Sequence, residues 1–171
     1  WYNSTSPAAL KYGIAGAAWA SASNVNQARQ ATGGSKAGTQ TATMIFGGGA
    51  DAPLGQTALA ETFDGTSWAV SPALNTARAA GGGFGTSTAA VYACGVTDTS
   101  YMISTNAVEE WNGSAWTEII GMGTPRFSGF NAGISTAGII SAGLSRPGAP
   151  PGAPIGYKLE TETWNGSAWS E

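Results

Sequence analysis

Three arginines and three glutamates are the side chains whose type and spacing best suit chemistry. Arg29, Arg78 and Arg126 recur at intervals of 49 and 48, and Glu61, Glu109 and Glu162 recur with them. Gathered at one mouth, the arginines would bind carboxylate or sulfate groups of a glycan through paired N–H donors. Paired each with its own unit's glutamate, they would instead be structural ion pairs. Recurrence in every unit favours that second role. Aromatics that break the repeat, Tyr101, Phe127 and Tyr157, are candidates for ligand contact. Tyr101 and Tyr157 lie in variable connections, where binding residues concentrate. Paired carboxylates can hydrolyse glycosides. Seven of the ten acids, however, fall in repeat-phased or third-strand segments or just after a fourth-strand tryptophan, and none forms an acid/base pair by spacing. Nucleophilic triads and imidazole metal sites are excluded outright, because the chain has no histidine. Asp51 and Asp98 do not head a ligand-dense loop for calcium. No catalytic residue, cofactor or metal is expected.

Composition narrows the classes further. Of 171 residues only 17 are charged, the net charge is −3, and Ala, Gly, Thr and Ser make up 93 positions. An acidic balance argues against nucleic acid, which needs a basic face. No apolar run reaches the ~18 residues that span a membrane. Seven Trp, five Tyr and five Phe separate the chain from disordered sequences, which are poor in aromatics. Cys94 is alone and cannot form an internal disulfide. It occupies the position of Gly47 and Ala142, a tight site, so inert packing is expected. The first residue is Trp1 rather than Met, which reads as a processed product or part of a longer chain.

The elements that hold these residues repeat. Phe63-Asp64-Gly65-Thr66-Ser67-Trp68, Trp111-Asn112-Gly113-Ser114-Ala115-Trp116 and Trp164-Asn165-Gly166-Ser167-Ala168-Trp169 are three copies, with a degenerate fourth ending at Trp19. The closing tryptophans are spaced 49, 48 and 53, and an arginine follows the first three by ten residues. Each unit reads as four short strands. A Gly-rich inner strand follows the arginine, then an apolar second strand (Met44–Phe46, Val91–Ala93, Ile139–Ser141). A third ends at Phe63, Trp111 or Trp164, and a fourth begins at Trp68, Trp116 or Trp169. Asn-Gly or Asp-Gly between the last two is the strongest short hairpin signal, as both residues tolerate φ > 0. No helical periodicity with caps occurs. At fixed phase, Trp19, Trp68, Trp116 and Trp169 are expected to pack between units. The triplets at Asn112, Asn165 and Asn3 match glycosylation acceptors, but two of them are the hairpin turns. Asp64-Gly65-Thr66-Ser67-Trp68 has an Asp-to-Gly spacing one residue too short for a sialidase Asp-box.

A four-stranded unit of this length resembles the kelch repeat of β-propellers, on Arg29/78/126, Gly48/95/143, Phe63/Trp111/Trp164, Trp68/116/169 and the third-strand glutamates. The short Trp-Asn-Gly-Ser-Ala-Trp version is similar to kelch-type repeats in virion and tail proteins of tailed phages. The resemblance implies an all-β fold of four-stranded antiparallel blades. A partial unit is expected at 1–18 and full units at 19–67, 68–115 and 116–171, the last with a stiff Pro-rich insertion at 146–156. About three and a half units do not close a ring of the usual four to eight blades. Either the chain continues, or copies combine, or units stack openly. The expected function is that of a non-enzymatic virion or extracellular module, of phage tail or fibre type, contacting host glycan or neighbouring subunits. A self-assembling subunit of an extracellular fibre or sheath is the second reading, and a carbohydrate-active enzyme the third.

Overall fold

The computed structural model describes residues 21–49, 55–98, 102–146, 148 and 154–171. The partial unit at 1–18, Trp19, Tyr101 and most of the Pro-rich insertion lie outside them. The described residues are all-β, with no helix, and form three four-stranded antiparallel sheets. In the first, β1 (Gly33–Gly34), β2 (Thr43–Phe46), β3 (Ala60–Phe63) and β4 (Trp68–Ser71) follow one another as a meander. The second opens with β5 (Gly82–Gly85) and β6 (Ala90–Ala93). A small ribbon of β7 (Val96–Asp98) and β8 (Ile103–Ser104) then interrupts it before β9 (Val108–Trp111) and β10 (Trp116–Ile119) complete it. The third repeats that plan with β11 (Phe130–Ile134) and β12 (Ala137–Ser141), the ribbon β13 (Leu144–Ser145) and β14 (Gly156–Tyr157), then β15 (Thr161–Trp164) and β16 (Trp169–Ser170). Four strands per unit are what the sequence pattern predicts. The two ribbons are an addition: their first strands start at the repeat-phased Val96 and Leu144 and their second strands come from connections of variable length, while in the first unit the equivalent Gly49 makes a single bridge to Gln56. The described residues do not close a ring.

Each outer hairpin pairs aromatic to tryptophan: Phe63 with Trp68, Trp111 with Trp116, Trp164 with Trp169. The turn differs from the two-residue form that Asn-Gly suggests. Four residues cross between the strands, and of the Asn-Gly or Asp-Gly pair only the glycine (Gly65, Gly113 or Gly166) has positive φ. The preceding side chain holds the turn instead. Asn112 Oδ1 accepts the Ser114 and Ala115 N–H at 2.9 and 3.0 Å, and Asp64 Oδ1 accepts those of Thr66 and Ser67 at 2.8 Å each. Such a local side-chain bond is what makes Asn and Asp turn residues.

The cores lie between sheets. Met44, Phe46 and Ala60 of the first pack against Ala90, Tyr92, Trp111 and Trp116 of the second. Phe84, Val91, Cys94 and Val108 of the second meet Ile140, Trp164 and Trp169 of the third. Phe46 meets Trp116 edge-on at 4.9 Å, and Phe84 meets Trp169 at 6.3 Å, geometries that aromatic quadrupoles favour. All four residues of β6 are buried, because that sheet is covered on both faces. The inner strands touch backbone to backbone: a Cβ on Gly83 would stand 2.5 Å from the Gly34 nitrogen. Any side chain there would force two sheets apart. The small residues of the composition are therefore spent on close approach of sheets.

Candidate functional site

The repeated polar residues converge at one node per sheet, set between the segment entering the inner strand and the third strand. Glu109 projects from β9, where it is 1 % exposed. Its Oε2 accepts the Asn75 backbone N–H at 2.7 Å and the Asn75 side-chain amide at 2.9 Å; its Oε1 takes Arg78 Nη1 at 2.5 Å. Arg78, fully buried, also donates to the Tyr92 carbonyl at 2.9 Å and lies 4.6 Å over the Tyr92 ring. Glu162 and Arg126 repeat the pair at 2.7 Å, with Arg126 Nη1 donating to the Glu160 carbonyl as well. Glu61 and Arg29 do so at 2.8 Å, where Asn26 supplies the two amide contacts. Of the two roles open to the arginines from sequence, all three are seen in the ion pair. Burial without partners would be prohibitive for either ion, and the shared network of donors meets that demand.

Two members of this node carry no mark in the sequence reading. Asn26 and Asn75 stand three residues before Arg29 and Arg78, and that common spacing was the available signal. The third sheet has Gly123 at the same place, which keeps only the backbone N–H to Glu162 at 2.7 Å. The nodes are also unequal. Among the described residues Arg29 Nε and Nη1 have no hydrogen-bond partner, where Arg78 lacks one only at Nε, and burial lowers the Arg29 pKa against the pull of Glu61.

Burial pushes the Cys94 thiol up to about 12, and it sits 3.1 Å from the Met122 sulfur, so it stays a neutral packing group at ordinary pH. Burial likewise raises the Tyr92 hydroxyl to about 12; it donates to the Arg78 carbonyl and accepts the Gly81 N–H. Trp116 and Trp164 are buried, Trp169 and Trp68 half-buried, and Trp68 packs on the Phe63 ring of its own sheet. Phe127 is buried in a small cluster with Ala79 and Val96, whereas Tyr157 is 86 % exposed. Beside it Leu159 is 91 % and Ile155 39 % exposed, so three large apolar side chains crowd the β13–β14 ribbon next to the Pro-rich insertion. The other large apolar side chains exposed among the described residues, Val70, Ile120, Phe130 and Ile134, lie away from this ribbon.

No protein family matches the chain, and no curated protein resembles it closely enough to count. The fold has relatives. A solved structure described as "Structure of YjhT" superposes with a TM-score of 0.66 over 85 % of this chain and 45 % of that one, at 13 % sequence identity. The chain thus spans under half the length of that structure, and the likeness is one of fold.

Proposed function

We propose that this chain is a non-enzymatic structural and adhesion module of a virion or extracellular assembly, phage tail or fibre in type. Its three sheets would be kelch-like blades of a propeller or an open stack of such blades. The observation that carries the reading is the division of labour among side chains. The repeated ions are consumed inside the fold, each arginine on its glutamate, while the two most exposed large apolar side chains among the described residues, Tyr157 and Leu159, stand together at one ribbon. The exposed face of Tyr157, with Leu159 beside it, suits a pyranose ring. Glycan-array binding by a monodisperse sample, without turnover of the bound sugar, is the expected result. Hydrolysis of a bound oligosaccharide would overturn it in favour of a carbohydrate-active enzyme.

The second reading, a self-assembling subunit, is favoured by a different feature. The outward face of the third sheet leaves Phe130 65 % and Ile134 50 % exposed, where the equivalent faces of the other two sheets are covered. Concentration-dependent growth of filaments in light scattering would support it.

A further inference from the structure

Successive sheets are joined by the same two backbone hydrogen bonds. Between the first and second, the Gly48 N–H donates to the Arg78 carbonyl at 2.9 Å and the Ala80 N–H to the Ala31 carbonyl at 2.8 Å. Between the second and third, the Gly95 N–H donates to the Arg126 carbonyl at 2.9 Å and the Ser128 N–H to the Ala80 carbonyl at 2.8 Å. Each sheet therefore offers a glycine N–H and a carbonyl forwards, and an arginine carbonyl and an N–H backwards. Among the described residues the Gly143 N–H and Ser128 carbonyl have no partner on the forward side, nor the Arg29 carbonyl and Ala31 N–H on the backward side.

Burial follows the same logic. Gly48, Cys94 and Gly95 are buried under the next sheet, but Ala142 is exposed and Gly143 half-exposed. Arg78 and Arg126 are buried to the backbone. Arg29 has a side chain only 1 % exposed and yet counts as half-exposed overall, so what it shows to solvent is backbone. With Ala28, Gln30 and Gly49 it lines a cleft of about 240 Å³. In the second sheet the matching spot receives the Gly47–Gly48 turn, close enough that a Cβ on Gly47 would lie 2.6 Å from the Arg78 carbonyl. The open ends also hold the backbone shape of the joint. Ala31 and Ala142 keep φ of 51° and 58°, matching Ala80 at 56° and Cys94 at 62°. Left-handed backbone at a non-glycine residue is costly, and here it recurs where the joint is unfilled.

We infer that the two ends are complementary halves of one joint and that a second copy of this chain docks head to tail. The Ala142–Gly143 turn of one copy enters the Arg29 cleft of the next, the Gly143 N–H donates to the Arg29 carbonyl, and the Ala31 N–H donates to the Ser128 carbonyl. Phe130 stands at the register position of Gly33 and Gly82, the positions that face Tyr92 and Ile140 of the following sheet. It meets the half-buried Ile45, their counterpart in the arriving copy. The contact is heterologous, so it closes a ring or extends a filament according to its rotation. It rests on the assembly reading above and names the partner and the atoms.

The test uses the full chain with Cys94→Ala, a residue the third sheet already carries at that position. Chains bearing Ala31→Cys and chains bearing Ser128→Cys are mixed and oxidised, with Ala80→Cys/Ser128→Cys in one chain as the internal control. Mixed disulfide dimers that neither variant forms alone are expected, along with a wild-type mass in solution above 17.1 kDa that Ala142→Glu returns to 17.1 kDa with the circular dichroism spectrum of the folded chain unchanged. A 17.1 kDa monomer at every concentration, Ala31→Cys chains crosslinking among themselves, or assembly without mixed dimers would each overturn the joint. Glycan binding is scored separately: a monomer that binds glycan removes the joint and leaves the adhesion reading, and mixed dimers without glycan binding do the reverse.

Discussion

Replacing Arg78 by Met tests whether the repeated arginines hold the fold or bind a ligand. Methionine fills similar volume but leaves Glu109, 1 % exposed, with only the Asn75 and Thr76 donors, and it removes the donor to the Tyr92 carbonyl. Breaking a buried pair on one side costs about 3–5 kcal/mol. For a chain of this length that lowers Tm by roughly 6–20 °C. Arg29→Met is the internal comparison. Among the described residues the Arg29 side chain makes one hydrogen bond, to Glu61, and carries two unpartnered nitrogens, so its loss removes less and strands fewer groups. The expected order of melting temperatures is wild type, Arg29→Met, Arg78→Met, read by calorimetry or urea titration at neutral pH. The reasoning is refuted if Arg78→Met melts within 2 °C of wild type, or if Arg29→Met is the more damaging of the two.

Three further outcomes follow from single residues. Gly83→Ala pushes a methyl into the Gly34 backbone and should cost about 1–3 kcal/mol as an overpacked interior does; a neutral change in urea midpoint would contradict the backbone-to-backbone approach of β1 and β5. Asp64 has its pKa lowered by the Ser67 and Thr66 N–H groups, so its contribution is present above the usual aspartate range and is lost as pH falls through the folded value. Asp64→Asn keeps an acceptor there, as Asn112 and Asn165 do, and should therefore lose less stability than wild type in acid; equal acid sensitivity would count against the turn contacts. Cys94, with its thiol held near 12, should resist a thiol reagent at pH 8 until denaturant is added, and prompt labelling of the folded chain would show that it is not buried as described.

Strand positions were legible because each is marked twice, by repeat phase and by local chemistry. Gly-rich runs allow β5 to meet β1, and the Trp-Asn-Gly-Ser-Ala-Trp segment is both hairpin and phase marker. The turn geometry was not legible from the Asn-Gly pair, since the Asn side chain, rather than a second positive φ, holds a four-residue crossing. The ribbons β7–β8 and β13–β14 pair a repeat-phased residue, Val96 or Leu144, with one from a connection of variable length, Ser104 or Tyr157, and no local pattern announces the second partner. For the nodes, the spacing of Arg and Glu showed which residues belong together. The unequal satisfaction of Arg29 and Arg126 depends on carbonyls brought in by other strands, which one-dimensional spacing does not contain.

In the proposed function the ribbon, and not the repeated ions, makes the contacts with glycan. Binding of wild type and of Tyr157→Ser/Leu159→Ser to a glycan array at equal folded concentration measures it directly. The ribbon variant is expected to keep the wild-type Tm, because both side chains are almost fully exposed, and to lose the array signal at least tenfold, about 1.4 kcal/mol. An undiminished signal in the ribbon variant, or a wild type that binds no glycan, would contradict it.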